Sequence, residues 1–323
     1  MKFSVLLPTR NRLEYLRYAV ETVRRQDYDD WEIIISDNCS EDDIAGYVRS
    51  LEEPRVKYYR TQSFVPVTEN WNNALERSTG DYVIMLGDDD CLMRGYFSTI
   101  RRLVEQFDAP DFIYTSAFLY TYPGVDPHAA EGSLLPYGYA SFLNTGAGEP
   151  YLLDRAQAHE LVRGFVDFRV LYGFNMQFFV ISRRLIDSLA DKGPFFQSPF
   201  PDYYASNAMF LRAERILVCP YPLVTIGVTP KSYGFYHANK REAEGVEFLK
   251  SLPDPQAARR LERVLLPGTN INTSWLFSAE KLKANYGAEF PLSVTYRRYR
   301  YLQITYVYEQ VYLQKSLTKD DLR

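Results

Sequence analysis

Within its first hundred residues the chain alternates between short apolar runs and helical repeats, and the runs end in polar residues. Phe3–Leu7 is an apolar run stopped by Pro8, as expected of a buried strand. Asn11 with Glu14 has capping-box character, and Leu13, Leu16, Ala19, Val20 and Val23 then recur at helical spacing. Trp31–Ser36 is a second run closing on Asp37, Arg55–Arg60 an alternating third, and Tyr82–Leu86 a fourth ending at Gly87 and three aspartates. Helical patterns over Asp42–Leu51 and Asn70–Arg77 lie between them. Strand, helix, strand in this order predicts an α/β chain with a parallel sheet covered on both faces.

In such a sheet a ligand sits beyond the carboxyl ends of the strands. Thr9–Asn11, Asp37 with Asn38, and Asp88–Asp90 all fall at that rim. Adjacent carboxylates repel one another, and oxygen ligands suit hard ions such as Mg²⁺ or Mn²⁺. The triplet alone reads equally well as a solvated acidic turn; its place after a buried strand favours the cation. Asp37 is either an acceptor for a base N–H or ribose hydroxyl, or an N-cap for the helix that follows. Asp202, after Pro199 and Pro201, is either a helix N-cap or a general base. His237 is one of three histidines, a structural or exposed residue by default and a metal ligand by chemistry.

Beyond residue 110 the strand candidates are Phe112–Tyr120, Met176–Ile181 and Leu217–Val228, with helices around Arg184–Ala190 and Tyr203–Arg212. A Gly/Pro-rich stretch runs to about Pro150, and residues 240–323 read as mostly helical. Composition narrows the classes further. With 46% hydrophobic and 24% charged residues the chain is neither disordered nor a coiled coil. A net charge of −4 speaks against nucleic acid as a partner. Cys39, Cys91 and Cys219 are too scattered for a disulfide framework or zinc site, which fits a reducing compartment. The N-terminal apolar run is too short for a signal peptide, and no window is long enough for a membrane span. These features predict a soluble cytoplasmic protein. Aromatics make up 15% of the chain, with 27 Tyr, which describes either a Tyr-rich core or a sugar-binding or interface surface.

The runs SVLLPTRNR, IIISDNCSEDD and NWNNALERSTGDYVIMLGDDDCL together resemble the family 2 glycosyltransferases, inverting enzymes of the GT-A fold. The likeness is dense over residues 2–95 and thins towards 240. It implies a catalytic domain over 1–239, with a nucleotide-sugar half at 1–110 and an acceptor half with a lid at 111–239, followed by a helical extension at 240–323. By the same resemblance Pro8, Thr9 and Asp37 contact the base of a sugar nucleotide, and Arg12 and Asn72 line the nucleotide pocket. Asp88, Asp89 and Asp90 stand where the family holds Mn²⁺ or Mg²⁺ and the diphosphate. Gly87 replaces the first Asp of the usual Asp-x-Asp-Asp, leaving Asp89 the best-matching ligand, Asp88 near ribose or metal, and the coordinating pair open. Asp202 matches the usual base, with Pro201 in place of a Glu, and His237 is the candidate for a later metal-binding His. Val228–Tyr236 is a lid candidate with Gly234 as its hinge.

The resemblance implies transfer of a sugar from a nucleoside-diphosphate donor, a UDP-sugar first, to a glycan or lipid-linked acceptor hydroxyl in bacterial polysaccharide or glycoconjugate synthesis. Acceptor contacts are expected from 110–215, with Asn175, Met176, Tyr203 and Tyr204 as candidates. Two rivals are a sugar-phosphate nucleotidyltransferase, whose Gly-rich N-terminal loop is missing here, and a non-catalytic carbohydrate-binding scaffold, which Gly87 and Pro201 keep open. In the C-terminal YRRYRYLQITYVYEQVYLQ, Tyr299, Leu302, Tyr306 and Leu313 lie near one helical face, broadened by Tyr301, Ile304, Tyr308, Val311 and Tyr312, with Arg297, Arg298 and Arg300 at one end. Residues 290–315 therefore suit peripheral contact with the inner face of a membrane, packing on the catalytic domain, or a homodimer contact.

Overall fold

The computed structural model describes residues 1–126, 128–139, 142–144, 146–238, 244, 245, 247, 250, 255–267 and 271–313. The N-terminal part follows the alternation: β1 (Phe3–Thr9), α1 (Leu13–Arg24), β2 (Trp31–Asp37), α2 (Ile44–Ser50), β3 (Val56–Arg60), α3 (Val67–Glu76) and β4 (Tyr82–Met85). β3, β2, β1 and β4 lie side by side, all parallel. β1 and β2 are buried on both faces, which is why their apolar runs do not alternate. β1 continues through Pro8 to Thr9. The Thr9 carbonyl faces β2, where it accepts from Asn38 N at 2.9 Å, so Pro8 faces the other way. On that side β4 pairing has already ended at Leu6, and the missing N–H costs no ladder bond.

The loop after β1 is not a capping box. Asn11 sits in the left-handed region at φ 50°, which Asn tolerates, and its Oδ1 accepts from Glu41 N at 2.7 Å. The first turn of α1 is capped instead by Asp42, whose Oδ2 accepts from Leu13 N at 2.9 Å. The loops after β1 and β2 are thereby tied into one rim.

The second half holds β5 (Cys91–Leu92), α4 (Tyr96–Gln106), β6 (Phe112–Thr121), β7 (Ser133–Pro136), β8 (Tyr151–Leu153), α5 (Arg155–Val166), β9 (Phe179–Ser182), α6 (Arg183–Ser188), α7 (Pro201–Arg212) and β10 (Ile216–Val228). The sheet runs β3-β2-β1-β4-β9-β6-β10-β5, with β7 on β6 and β8 on β10. β9 is antiparallel to both neighbours, so the parallel arrangement holds for the first four strands and the remainder is mixed. The run Met176–Ile181 divides: Met176–Phe178 form a 3₁₀ turn, and only then does the chain enter β9. Pro220 and Pro222 break the ladder of β10 on β6, and the register slips on either side of Pro222 before Val224–Val228 resume pairing. Helices α8 (Tyr233–Ala238), α9 (Pro255–Leu261), α10 (Ile271–Tyr286) and α11 (Tyr296–Tyr308) follow, the last extended by a π turn over Glu309–Leu313. α10 packs into the main core: Trp275 is buried and stacks on Phe165 at 5.6 Å, and its Nε1 donates to the Phe165 carbonyl at 2.9 Å.

Candidate active site

A cleft of about 490 Å³ opens at the carboxyl ends of β1 and β4 and runs along β10 to the start of α7. Its lining includes Pro8, Thr9, Arg12, Asp88, Asp89, Asp90 and Asp202, all anticipated from sequence. One end is polar and built around the acidic triplet. Asp88 accepts from Thr9 Oγ1 at 2.7 Å and pairs with Arg12 at 2.9 Å. The same guanidinium pairs with Asp89 and donates to Thr229 Oγ1 at 2.7 Å, while Ser232 Oγ donates to Asp89 Oδ2 at 2.7 Å. Asp90 is held differently, by Gly87 N at 2.7 Å, Gly227 N at 2.8 Å and Gln177 Nε2 at 2.7 Å. Both its oxygens are taken by fixed donors.

Two glycines make this packing possible. A Cβ on Gly87 would lie 2.5 Å from Asp90 Oδ2, so an aspartate at 87 and this seat for Asp90 exclude one another. A Cβ on Gly227 would lie 1.9 Å from the Asp89 carbonyl oxygen. Burial pushes Asp88 up to about 6 against the pull of Arg12, and pushes Asp90 up to about 7 with the neighbouring Asp89 adding to it. Burial alone would lower the Arg12 pKa, yet the three carboxylates hold it above its ordinary value.

The donor set suits a hard cation. Asp88 and Asp89 converge on the Arg12 guanidinium, while Asp90 is held by Gly87 N, Gly227 N and Gln177. Among the described residues no three His, Cys, Asp or Glu side chains form a metal cluster. His237 lies in α8, but its side chain is outside the described residues.

The other end is aromatic. Tyr137, Tyr139, Phe200, Tyr203 and Tyr233 line it around Asp202, with Phe200 at 5.2 Å from Tyr203 and 4.9 Å from Tyr233 between ring centroids. Asp202 lies in the first turn of α7, where Pro201 starts the helix, and its Oδ1 accepts from Tyr203 N at 3.0 Å. Burial among these rings pushes the Asp202 carboxyl up to about 7.

Several anticipated residues do other work. Asp37 is absent from the cleft lining: it is fully buried, with Oδ1 on Ser40 N at 2.9 Å and Oδ2 taken by the Tyr58 hydroxyl at 2.7 Å. Its neighbour Asn38 lines the cleft instead. Asn72 is likewise absent from the lining and clasps the backbone of Phe196, donating to O at 2.9 Å and accepting from N at 3.1 Å. Of the acceptor candidates, Asn175 and Tyr203 line the cleft. Met176 is fully buried, and the Tyr204 hydroxyl accepts from Asn285 Nδ2 at 2.6 Å, so both are packing residues. Arg10, within the rim stretch Thr9–Asn11, also lines the cleft and lies over Phe64 at 3.7 Å, and residues not singled out in the sequence reach it too: Lys231, Ser232, Gln177 and Gly227. Lys231 and Ser232 stand in the segment read as a lid, and no local signal pointed to Gln177.

Residues 4–159 match the model of one family, Glycosyl transferase family 2. A Campylobacter jejuni GalNAc(5)-diNAcBac-PP-undecaprenol beta-1,3-glucosyltransferase is 39% identical over 102 residues, 31% of this chain and 33% of that protein. An uncharacterized glycosyltransferase of Haemophilus influenzae is 29% identical over 114 residues, 35% of this chain and 38% of its own length. The matched part thus spans little more than a third of either relative. The crystal structure of S. aureus TarS 1-349 superposes with a TM-score of 0.56 at 15% identity, over 88% of this chain and 81% of that one. The same protein in complex with UDP-GlcNAc gives 0.55 over 88% and 82%. The sheet that carries the acidic triplet therefore has a GT-A fold, and residues 4–159 are similar to the family 2 glycosyltransferases.

Proposed function

We propose that the protein transfers a sugar, with inversion, from a nucleoside-diphosphate donor to the hydroxyl of a glycan or lipid-linked acceptor, in bacterial polysaccharide or glycoconjugate synthesis. The observation that carries this reading is a single cleft with the acidic triplet at one end and a desolvated carboxyl, Asp202, at the other. A UDP-sugar is the favoured donor, because the superposing S. aureus TarS structure is a complex with UDP-GlcNAc.

Asp88 and Asp89 are the pair for Mn²⁺ or Mg²⁺, since both already turn towards one cationic group, Arg12, while Asp90 is held by neutral donors on Gly87, Gly227 and Gln177. When bound, the ion supplies positive charge against the diphosphate leaving group. Thr9 orients Asp88, and Ser232 orients Asp89. Arg10 and Lys231 add cationic groups to the same cleft. Asp202 takes the proton of the acceptor hydroxyl while that oxygen bonds to the anomeric carbon. The bond from that carbon to the diphosphate oxygen breaks on the opposite face, its electron pair leaving with the nucleotide. A carboxyl raised to about 7 by burial suits this exchange, being ionised at working pH and basic enough to accept a proton. The aromatic faces of Tyr137, Tyr139 and Tyr203 offer the acceptor apolar stacking surface, in keeping with a carbohydrate.

The test is Asp202→Asn measured two ways. Donor binding at the wild-type level with transfer lost supports the assignment; turnover at the wild-type rate eliminates Asp202 as the base.

A further inference from the structure

Helix α11 has two unlike faces. Inward, Tyr299 is fully buried against Phe168, with ring centroids 5.8 Å apart, and Gln303 Nε2 donates to the Pro267 carbonyl at 2.9 Å. Outward, Tyr301, Ile304, Tyr308 and Tyr312 are 68%, 58%, 53% and 58% exposed. Arg297, Tyr301, Ile304 and Tyr308 follow i, i+4, i+7, i+11 spacing, so they form one stripe along the helix. The stripe borders a groove of about 340 Å³ lined by Leu266, Pro267, Val307 and Val311 along with Ile304, Tyr308 and Tyr312. At its start stand Arg297 and Arg300, both exposed, with Arg298 half-buried beside them. Arg298 pairs with Asp167 at 4.0 Å, and against the two exposed arginines the helix and its π turn carry one acid, Glu309, in a chain whose net charge is −4.

We infer that this face docks on an anionic lipid surface, independently of the transfer reaction. The charge sign is what an anionic leaflet attracts, and Tyr with an aliphatic residue suits the depth of the headgroups. A second copy of the chain is the poorer occupant. The four outward side chains expose on the order of 500 Å² together, short of the roughly 800 Å² that each partner contributes to a stable interface. No helix among the described residues is long and apolar enough to cross a membrane, so the contact is peripheral.

Co-sedimentation of the full chain with phosphatidylcholine vesicles, with and without phosphatidylglycerol, tests this. The protein should pellet with the phosphatidylglycerol vesicles, remain in solution with phosphatidylcholine alone, and be released as salt rises. Arg297→Ala with Arg300→Ala should weaken the partition at least tenfold, each arginine contributing several-fold near such a surface. Ile304→Asp with Tyr308→Asp should abolish it, both with wild-type circular dichroism and melting. Wild-type protein that ignores both vesicles, or folded variants that bind as well as wild type, would overturn the inference. So would a concentration-dependent dimer that the Ile304→Asp, Tyr308→Asp variant dissolves. Because vesicle binding needs no donor or acceptor, failure here leaves the proposed transfer untouched, and an inactive enzyme leaves this surface intact.

Discussion

The carboxylates of the cleft differ in what surrounds them, and that difference sorts their roles. Asp202 sits among aromatic rings, and burial outweighs its backbone hydrogen bonds, so its charged form is unfavourable and its pKa rises to about 7. If it is the base, turnover falls as pH drops through about 7 and levels above it, and Asp202→Asn lowers transfer by about two to four orders of magnitude. The same shift makes the fold less stable as pH climbs from the ordinary carboxylate range to about 7, because there the unfolded chain releases this proton and the folded one keeps it. A pH–rate profile with no limb near 7 would contradict the role. Asp89 and Asp90 are adjacent yet should respond differently. Asp90→Asn breaks a carboxylate held by three donors and should cost about 1–3 kcal/mol in denaturant unfolding. Asp89→Asn weakens a buried pair with Arg12 at a similar cost of about 1–3 kcal/mol, and in addition should remove metal-dependent nucleotide binding. At this scale the sequence was legible wherever a polar residue directly follows a buried run, as Thr9 and Asp88–Asp90 do. Asp37 also follows such a run, but its side chain turns back into the Tyr58 hydroxyl, a partner one strand away that the run does not reveal.

Among the elements, β10 does what no local pattern announces. Its prolines shift the register so that its last residues pass beneath the triplet loop, where only a glycine fits. Gly227→Ala would drive a methyl group into the Asp89 backbone and should cost about 1–3 kcal/mol, with loss of nucleotide binding at concentrations that saturate wild type. Denaturant titration alongside calorimetry checks both halves of that expectation. β1, β2 and β4 were readable because they are buried on both faces and mostly apolar, and β3 from its alternation. β7 was not, because it is four residues of an exposed hairpin inside a Gly/Pro-rich stretch, held by pairing to β6 rather than by its own pattern. α5 was missed as well, although Asp154 caps it through two backbone N–H groups.

Across the whole molecule, the C-terminal helices and the cleft share a core. Trp275 on α10 packs on Phe165, Phe168 and Phe174 and stands 5.8 Å from Tyr203, the residue after Asp202. Trp275→Ala should cost about 3–5 kcal/mol of stability and reduce transfer more than donor binding, since the cavity opens behind the aromatic end. Equal losses in both would place its influence elsewhere. The most direct test of the central claim is calorimetric titration of UDP, with and without Mn²⁺, repeated with GDP and dTDP. The account predicts that one nucleotide, UDP first, binds tightly only with the metal, and that Asp89→Asn removes that binding. Folded protein that binds none of the three, with or without Mn²⁺, would contradict it.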